Sequence, residues 1–309
     1  MKPQVIAALL LASVGFEVAA RAGSVGDVAP VLTVERWIKG SPVRIGPGTN
    51  IFVVDFWATW CGPCLKGIPE LTALQKKYAD KGVIIIGISD EQPAKVAEFV
   101  TAQGAGMEYR VAVDSSKRSM RNWHTAFGAN GIPHAFIVGT NGIVLWHDNP
   151  LGNLEWSLEK VVNGTFDLER SKNLETGDRY VKQYTAMVYK PNAADKAAPI
   201  GEKILAEYTR DWRIPNRLAR AILTDPQVRS RDLPLALRAA SKSVELTKRR
   251  ASDALEMLAR AQFATGNKSE ALATANEAIK VCRDASDLKD LQEMIALYEK
   301  AKPDGGQRK

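Results

Sequence analysis

The stretch that most constrains this chain is IFVVDFWATWCGPC, residues 51–64. IFVVDFWA is β-branched and aromatic and predicts a buried strand. CGPCLKGIPELTALQKKYAD, directly after it, has helical character, and Pro69 within it is expected to kink the helix. Two cysteines three apart at such a junction have three uses: staple, metal ligands or redox pair. A ring closed over two residues removes little chain entropy, so it is a poor staple. Structural zinc takes four ligands, and the only other nitrogen ligands, His124, His134 and His147, form no ligand pair by spacing; no metal is expected. Redox chemistry accounts for the neighbours best. Cys61 falls at the helix N-terminus, where unpaired N–H groups and the macrodipole favour an anion, so its pKa should fall toward about 7 or below. Cys64, one turn in, is expected to be more buried and to remain a thiol. Pro63 suits the first turn, and Gly62 lets a partner chain come close to the sulfur.

Around this junction the pattern alternates. VLTVERWI (31–38) reads as an edge strand, VIIIGIS (83–89) as a second buried strand after a stop at Gly82, and YRVAVD (109–114) as a third. Residues 93–103 and SSKRSMRNWHTAFGA (115–129) read as helices, HAFIVG (134–139) and GIVLWHD (142–148) as a hairpin, and Leu154–Val162 as a closing helix. That order predicts an α/β unit: a mixed sheet with helices on both faces.

At the N-terminus, Lys2 precedes an apolar run, VIAALLLASVGF, and Ala20-Arg21-Ala22 supplies an A-x-A site. Residues 1–22 therefore read as a signal peptide; the run is short for a membrane anchor, and Glu17 breaks its continuation. The mature protein is expected to be exported, soluble, and periplasmic or otherwise extracytoplasmic. The net charge of +7 is scattered among acids, so nucleic-acid binding is not expected. With only three cysteines, a disulfide-stapled scaffold is excluded; Cys282 is expected to be a small buried apolar residue.

The pattern divides the chain into a domain at 23–166 and an all-helical region at 167–309, with breaks at Pro191, Pro215, Pro226 and Pro234. Around 232–283, Ala236 and Ala240 stand 35 positions before Ala271 and Ala275, and Gly266 falls in a turn. Small residues at that period, close to the usual ~34, resemble a tetratricopeptide repeat. Such a surface can bind a partner protein or simply brace its neighbour.

VVDFWATWCGPC is similar to thioredoxin, and VVDFWATWCGPCLKGIPEL with NGIPHAFIVGTNGIV resembles the exported TlpA/ResA-like branch of that superfamily, over about residues 26–165. The resemblance implies a thioredoxin-like fold, with the segment between the second and third buried strands as that branch's insertion. It implies thiol–disulfide exchange by Cys61 and Cys64 as a redox disulfide, protein disulfides as substrates, a membrane electron donor and no cofactor. Asp55, six residues before Cys61, takes the place of thioredoxin's buried acid and would accept the Cys64 proton through water. Gly67 stands where many branch members carry a glutamate, so arguments built on that glutamate do not transfer. Ile132-Pro133 matches the cis-proline loop, where the Ile132 backbone would pair with an extended substrate and Pro133 would shield the thiols. With Trp60 as an apolar rim, and with Gly62 and Pro63, these residues make the substrate groove; Trp57 is expected to be core. His134, where the family has threonine, is expected to be a surface residue. Gly-Pro between the cysteines implies a reductant, near about −270 mV rather than about −120 mV, a gap of roughly 7 kcal/mol for two electrons. Two alternatives stand beside this: a peroxiredoxin-type peroxidase, which wants a threonine where Ala58 lies, and a helical-repeat binding protein with an accessory redox domain.

Overall fold

The computed structural model describes residues 23–190 and 194–301. The signal-peptide expectation for 1–22 and the break at Pro191 lie outside the described residues. The chain separates into two compact units that divide between Val162 and Asn163.

The first unit is a six-stranded mixed sheet in the order β1-β4-β3-β2-β5-β6. Its strands are β1 (Arg36–Lys39), β2 (Ile51–Phe56), β3 (Val83–Ser89), β4 (Arg110–Val113), β5 (His134–Val138) and β6 (Val144–Asp148). β2, β3 and β4 run parallel, while β5 lies antiparallel to β2 and β6 to β5. β2 and β3 are almost wholly buried, which is why they read as continuous apolar runs rather than alternations. Along β2 the period of two sends Val53 to one face and Val54 and Phe56 to the other. The Val53 face packs under α1 (Gly62–Tyr78), α2 (Pro93–Gln103) and α3 (Pro150–Val162) through Ile68, Leu71, Val96, Val100, Leu154 and Leu158. The segment between β3 and β4, expected to be an insertion, holds α2.

Two local expectations need correction. β1 begins at Arg36, and residues 31–35 are not strand; Leu32 and Val34 instead pack on the Phe56 face of the sheet. α1 runs on past Pro69, which is exposed on its surface, without a break. Of the helix foreseen over 115–129, only 118–125 is helical, and six of those eight residues, Met120–Thr125, form a π-helical turn. This turn and extended chain cover the second face of the sheet, where Trp123, Phe127 and Phe136 pack edge to face.

The second unit is all helical: α4 (Leu168–Val188), α5 (Ala194–Glu207), α6 (Arg213–Thr224), α7 (Leu233–Thr247), α8 (Ser252–Ala264), α9 (Lys268–Val281) and α10 (Ala285–Lys300). Asp167, Asp232 and Asp284 cap α4, α7 and α10 by accepting hydrogen bonds from first-turn N–H groups, the usual role of an N-cap carboxylate. Pro215 is no break; it sits buried in the first turn of α6, where a missing N–H is harmless. The core is rich in alanine: Ala236, Ala239, Ala240, Ala271, Ala275 and Ala278 are fully buried, and such small residues let helices approach closely. Cys282 is half-buried at the end of α9, not a core residue; its Sγ faces the Asp284 carbonyl. Among the described residues no helix is long and apolar enough to cross a membrane.

Candidate active site

β2 ends at Phe56, and the chain turns through Trp57–Trp60 into α1. Cys61 is the N-cap of α1 and is bonded to Cys64, with Cα atoms 5.2 Å apart. The Cys64 N–H points at Cys61 Sγ at 3.2 Å, so a thiolate on Cys61 would receive a backbone hydrogen bond as well as the helix dipole; both favour the anion. The expected burial contrast is absent, since the two cysteines are 3% and 4% exposed. What separates them is position, because only Cys61 sits where orphan N–H groups converge. Gly62 and Pro63 are exposed, Trp60 is 69% exposed and Trp57 is buried.

The loop before β5 faces this pair. The Ile132–Pro133 bond is cis, and the Ile132 carbonyl lies 3.7 Å from Cys61 Sγ. Pro133 is buried and Ile132 half-buried.

Asp55 shares with Val53 and Trp57 the β2 face that α1 covers. It is 3% exposed, and its Oδ1 has no hydrogen-bond partner among the described protein groups. Burial pushes its carboxyl up from 3.8 to about 7. A carboxyl poised there can take or hold a proton near neutral pH. Its charge in turn adds to burial in raising the Tyr109 phenol.

Sequence reasoning missed two groups. Glu91, just past the end of β3, accepts the Thr59 N–H at 2.7 Å and the Thr59 hydroxyl at 2.9 Å and pairs with Lys95. Burial opposes its charge, but hydrogen bonds from Lys95 and Thr59 outweigh that and keep its carboxyl below the usual range. It thereby anchors the turn leading into Cys61. Its place at the C-terminal end of a parallel strand, where sites gather in such sheets, was the available signal.

The second group is the histidines. His134 is not a surface residue: it is half-buried, and its Nε2 lies 3.0 Å from His147 Nδ1. Burial first, then the charges of His147 and His124, hold its imidazole down at about 3. His124 is buried, and its Nε2 lies 2.7 Å from the Gly131 carbonyl. His134 and His147 are diagonal neighbours on one face of the β5–β6 hairpin, a relation that hairpin register could have predicted. Among the described residues no group of three or more His, Cys, Asp or Glu is arranged to hold a metal.

A family model described as the AhpC/TSA family matches residues 25–147. Protein FixW of Rhizobium leguminosarum is 28% identical over 151 residues, 46% of this chain and 68% of that protein. The thiol-disulfide oxidoreductase ResA of Bacillus thuringiensis (strain Al Hakam) is 31% identical over 124 residues, 39% of this chain and 67% of that protein. Among solved structures, a thiol:disulfide interchange protein from Bacteroides sp. is 24% identical, covering 45% of this chain and 91% of its own, with a TM-score of 0.39. The chain belongs to the ResA-like thiol-disulfide oxidoreductases of the thioredoxin superfamily.

Proposed function

We propose that this chain is an exported dithiol reductant of protein disulfides. The observation that carries the reading is the Cys61–Cys64 pair at the start of α1 above a buried carboxyl poised at about 7. The Cys61 thiolate attacks one sulfur of a substrate disulfide; that S–S bond breaks as a mixed disulfide forms, and the leaving sulfur takes up a proton. Cys64 gives its proton to Asp55 and attacks Cys61 Sγ. The second substrate thiol departs, and two electrons have moved from the enzyme to the substrate. Trp60, Gly62, Pro63, Ile132 and Pro133 form the groove in which an extended substrate lies. The Ile132 backbone pairs with it as an added strand would.

An exported reductant must itself be re-reduced, and a membrane electron donor fits that need. Residues 1–22 would direct export. The helical unit, read as tetratricopeptide-like around 232–283 from its buried alanines at the repeat period, offers a surface for a protein partner.

The test joins two measurements. A Cys64→Ala variant should trap substrates as mixed disulfides on Cys61. The wild-type pair should equilibrate with glutathione as a reductant, near about −270 mV. No trapped adducts, or a potential near about −120 mV, would refute the reductase direction.

The AhpC/TSA match supports a second reading, peroxide reduction. Ala58 stands three before Cys61, where that chemistry wants a threonine, so peroxide consumption by the reduced protein should be slow. Rapid consumption would favour the peroxidase.

A further inference from the structure

All three histidines of the chain gather behind the loop that faces Cys61. His124 is delivered by the π-helical turn, in which the Ala126 N–H donates to the Arg121 carbonyl and the Ala129 N–H to the His124 carbonyl, each five residues back. Such turns are uncommon and recur at functional sites; this one carries an imidazole to the Gly131 carbonyl. A carbonyl only accepts, so His124 Nε2 must carry a hydrogen. On the far side of the loop, His134 comes directly after Pro133 and exchanges a hydrogen bond with His147. His147 in turn stacks on Phe136, with ring centroids 5.3 Å apart and planes 18° apart.

Four residues, Gly131 to His134, thus lie between two fastenings, and the residue that meets Cys61 Sγ, Ile132, lies among them. Gly131 is exposed, at φ +134, with open space where a Cβ would stand. Gly131 adds no packing of its own; beyond it Ile132 packs half-buried against both faces of the sheet, Pro133 is buried and His134 pairs with Phe56 of β2, so the imidazoles add side-chain fastenings at the two ends of this stretch. An edge that must pair with an extended substrate binds better when it is ordered beforehand.

We propose that His124 and the His134–His147 pair are positioning residues for the substrate edge: they fasten the chain on both sides of Ile132, so that its backbone meets a disulfide-bearing segment in one arrangement opposite Cys61. The inference rests on the dithiol reading above. It assigns no proton transfer and no metal to the histidines; their work is to fix a carbonyl and a strand end.

The test uses the full chain, with insulin as the polypeptide disulfide and dithiothreitol as the electron source. His124→Leu should raise KM about 10-fold, with kcat within about twofold of wild type. His124→Gln, whose amide still donates, should bring KM back to within about threefold of wild type. His147→Leu, on the hairpin and half-buried, should raise KM about threefold, and it decides the matter should His124→Leu fail to fold. A lower kcat at unchanged KM would overturn the proposal, as would equal KM values in wild type, His124→Leu and His147→Leu. A wild-type chain that leaves insulin intact, and so shows no KM to shift, would refute the dithiol reading and the positioning role together.

Discussion

Asp55 in the sheet unit and Asp211 in the helical unit are both withdrawn from solvent, at 3% and 0% exposure, but they are treated differently. Asp211 accepts hydrogen bonds from the Arg213 N–H, the Arg213 guanidinium and Arg170. Burial opposes its charge, yet these bonds and the two cations prevail and hold its carboxyl at about 2. Asp55 has no cation, and burial alone raises it to about 7. The sheet unit can satisfy a buried acid when structure requires it. Asp114, 2% exposed, is held below its ordinary value by Ser116, Ser119 and Arg118 against the pull of burial. The unpartnered carboxyl is therefore a feature of one site beneath one helix, and local stability has been given up there. Buried groups kept in such a state concentrate where chemistry is done.

The largest test of this contrast is Asp55→Asn. Because the folded pKa exceeds the unfolded one, the wild type carries no linkage penalty below pH 3.8. It loses stability as pH rises from there toward 7, then holds a constant penalty of about 4 kcal/mol. An asparagine escapes that penalty but leaves an amide partly unpaired, at about 1 kcal/mol. The variant should therefore be more stable than wild type by about 3 kcal/mol at pH 8, with that advantage gone near pH 4. Turnover of a protein disulfide at pH 7 should fall about 100-fold, the usual weight of a lost proton acceptor. Urea melts at the two pH values and an insulin assay check both; a variant destabilised at pH 8 would break the comparison.

Asp211→Asn should do the reverse. Its folded pKa lies below the unfolded one, so its contribution is present above pH 3.8 and disappears as pH falls through about 2. Loss of the charge should destabilise the helical unit by about 2–3 kcal/mol at pH 7. The arginines are partly exposed and so remain solvated, which keeps the loss near the lower end for a broken buried pair. Hydrogen exchange, read separately on the amides of α4 and α6, measures it.

What could be read beforehand differs between the units for the same physical reason. In the sheet unit, β2, β3 and α2 were legible almost to the residue, because apolar runs and alternations carry their period in the sequence itself. Cys61 and Cys64 were legible because their spacing sets them at a strand–helix junction; Asp55 entered only through the resemblance to thioredoxin. The π-helical turn was not, since no residue pattern distinguishes a five-residue ladder from a four-residue one, and with it went the position of His124. His134 was misjudged because its burial depends on His147 across a hairpin and on His124 from a distant turn. Glu91 matters only through Thr59, 32 residues earlier. In the helical unit the all-helical character and the closely packed alanines around 232–283 were plain, but periodicity does not reveal that Pro215 sits inside a first turn or that Asp211 meets Arg170 across 41 residues.

A smaller effect probes the alanine seam. Ala275 in α9 is fully buried, and Ala275→Leu would force three more carbons into the space where α8 and α9 approach each other. The expected loss is about 1–3 kcal/mol, without any change in disulfide turnover. A thermal melt and an insulin assay on the same sample test the two halves of that statement; a parallel loss of turnover would mean that the sheet unit depends on the helical core.

The smallest effect isolates backbone from packing. Gly266 joins α8 to α9 at φ +90, and a Cβ built there would meet nothing within 4 Å. Sterically the site is open, so any change in Gly266→Ala comes from the left-handed backbone, at about 1–2 kcal/mol, less the roughly 0.4–1 kcal/mol that alanine gains by stiffening the unfolded chain. A net loss of about 1 kcal/mol is expected, seen as a lower urea midpoint with an unchanged slope. An unchanged midpoint would mean that the turn relaxes to another conformation at no expense, and that the α8–α9 pair is held by its alanine seam rather than by the turn. In that case Ala275→Leu should prove the more damaging of the two by a wider margin, and the helical unit would owe its geometry to side-chain size. In the mechanism proposed above, the site beneath α1 would by contrast owe its chemistry to the partners withheld from Asp55.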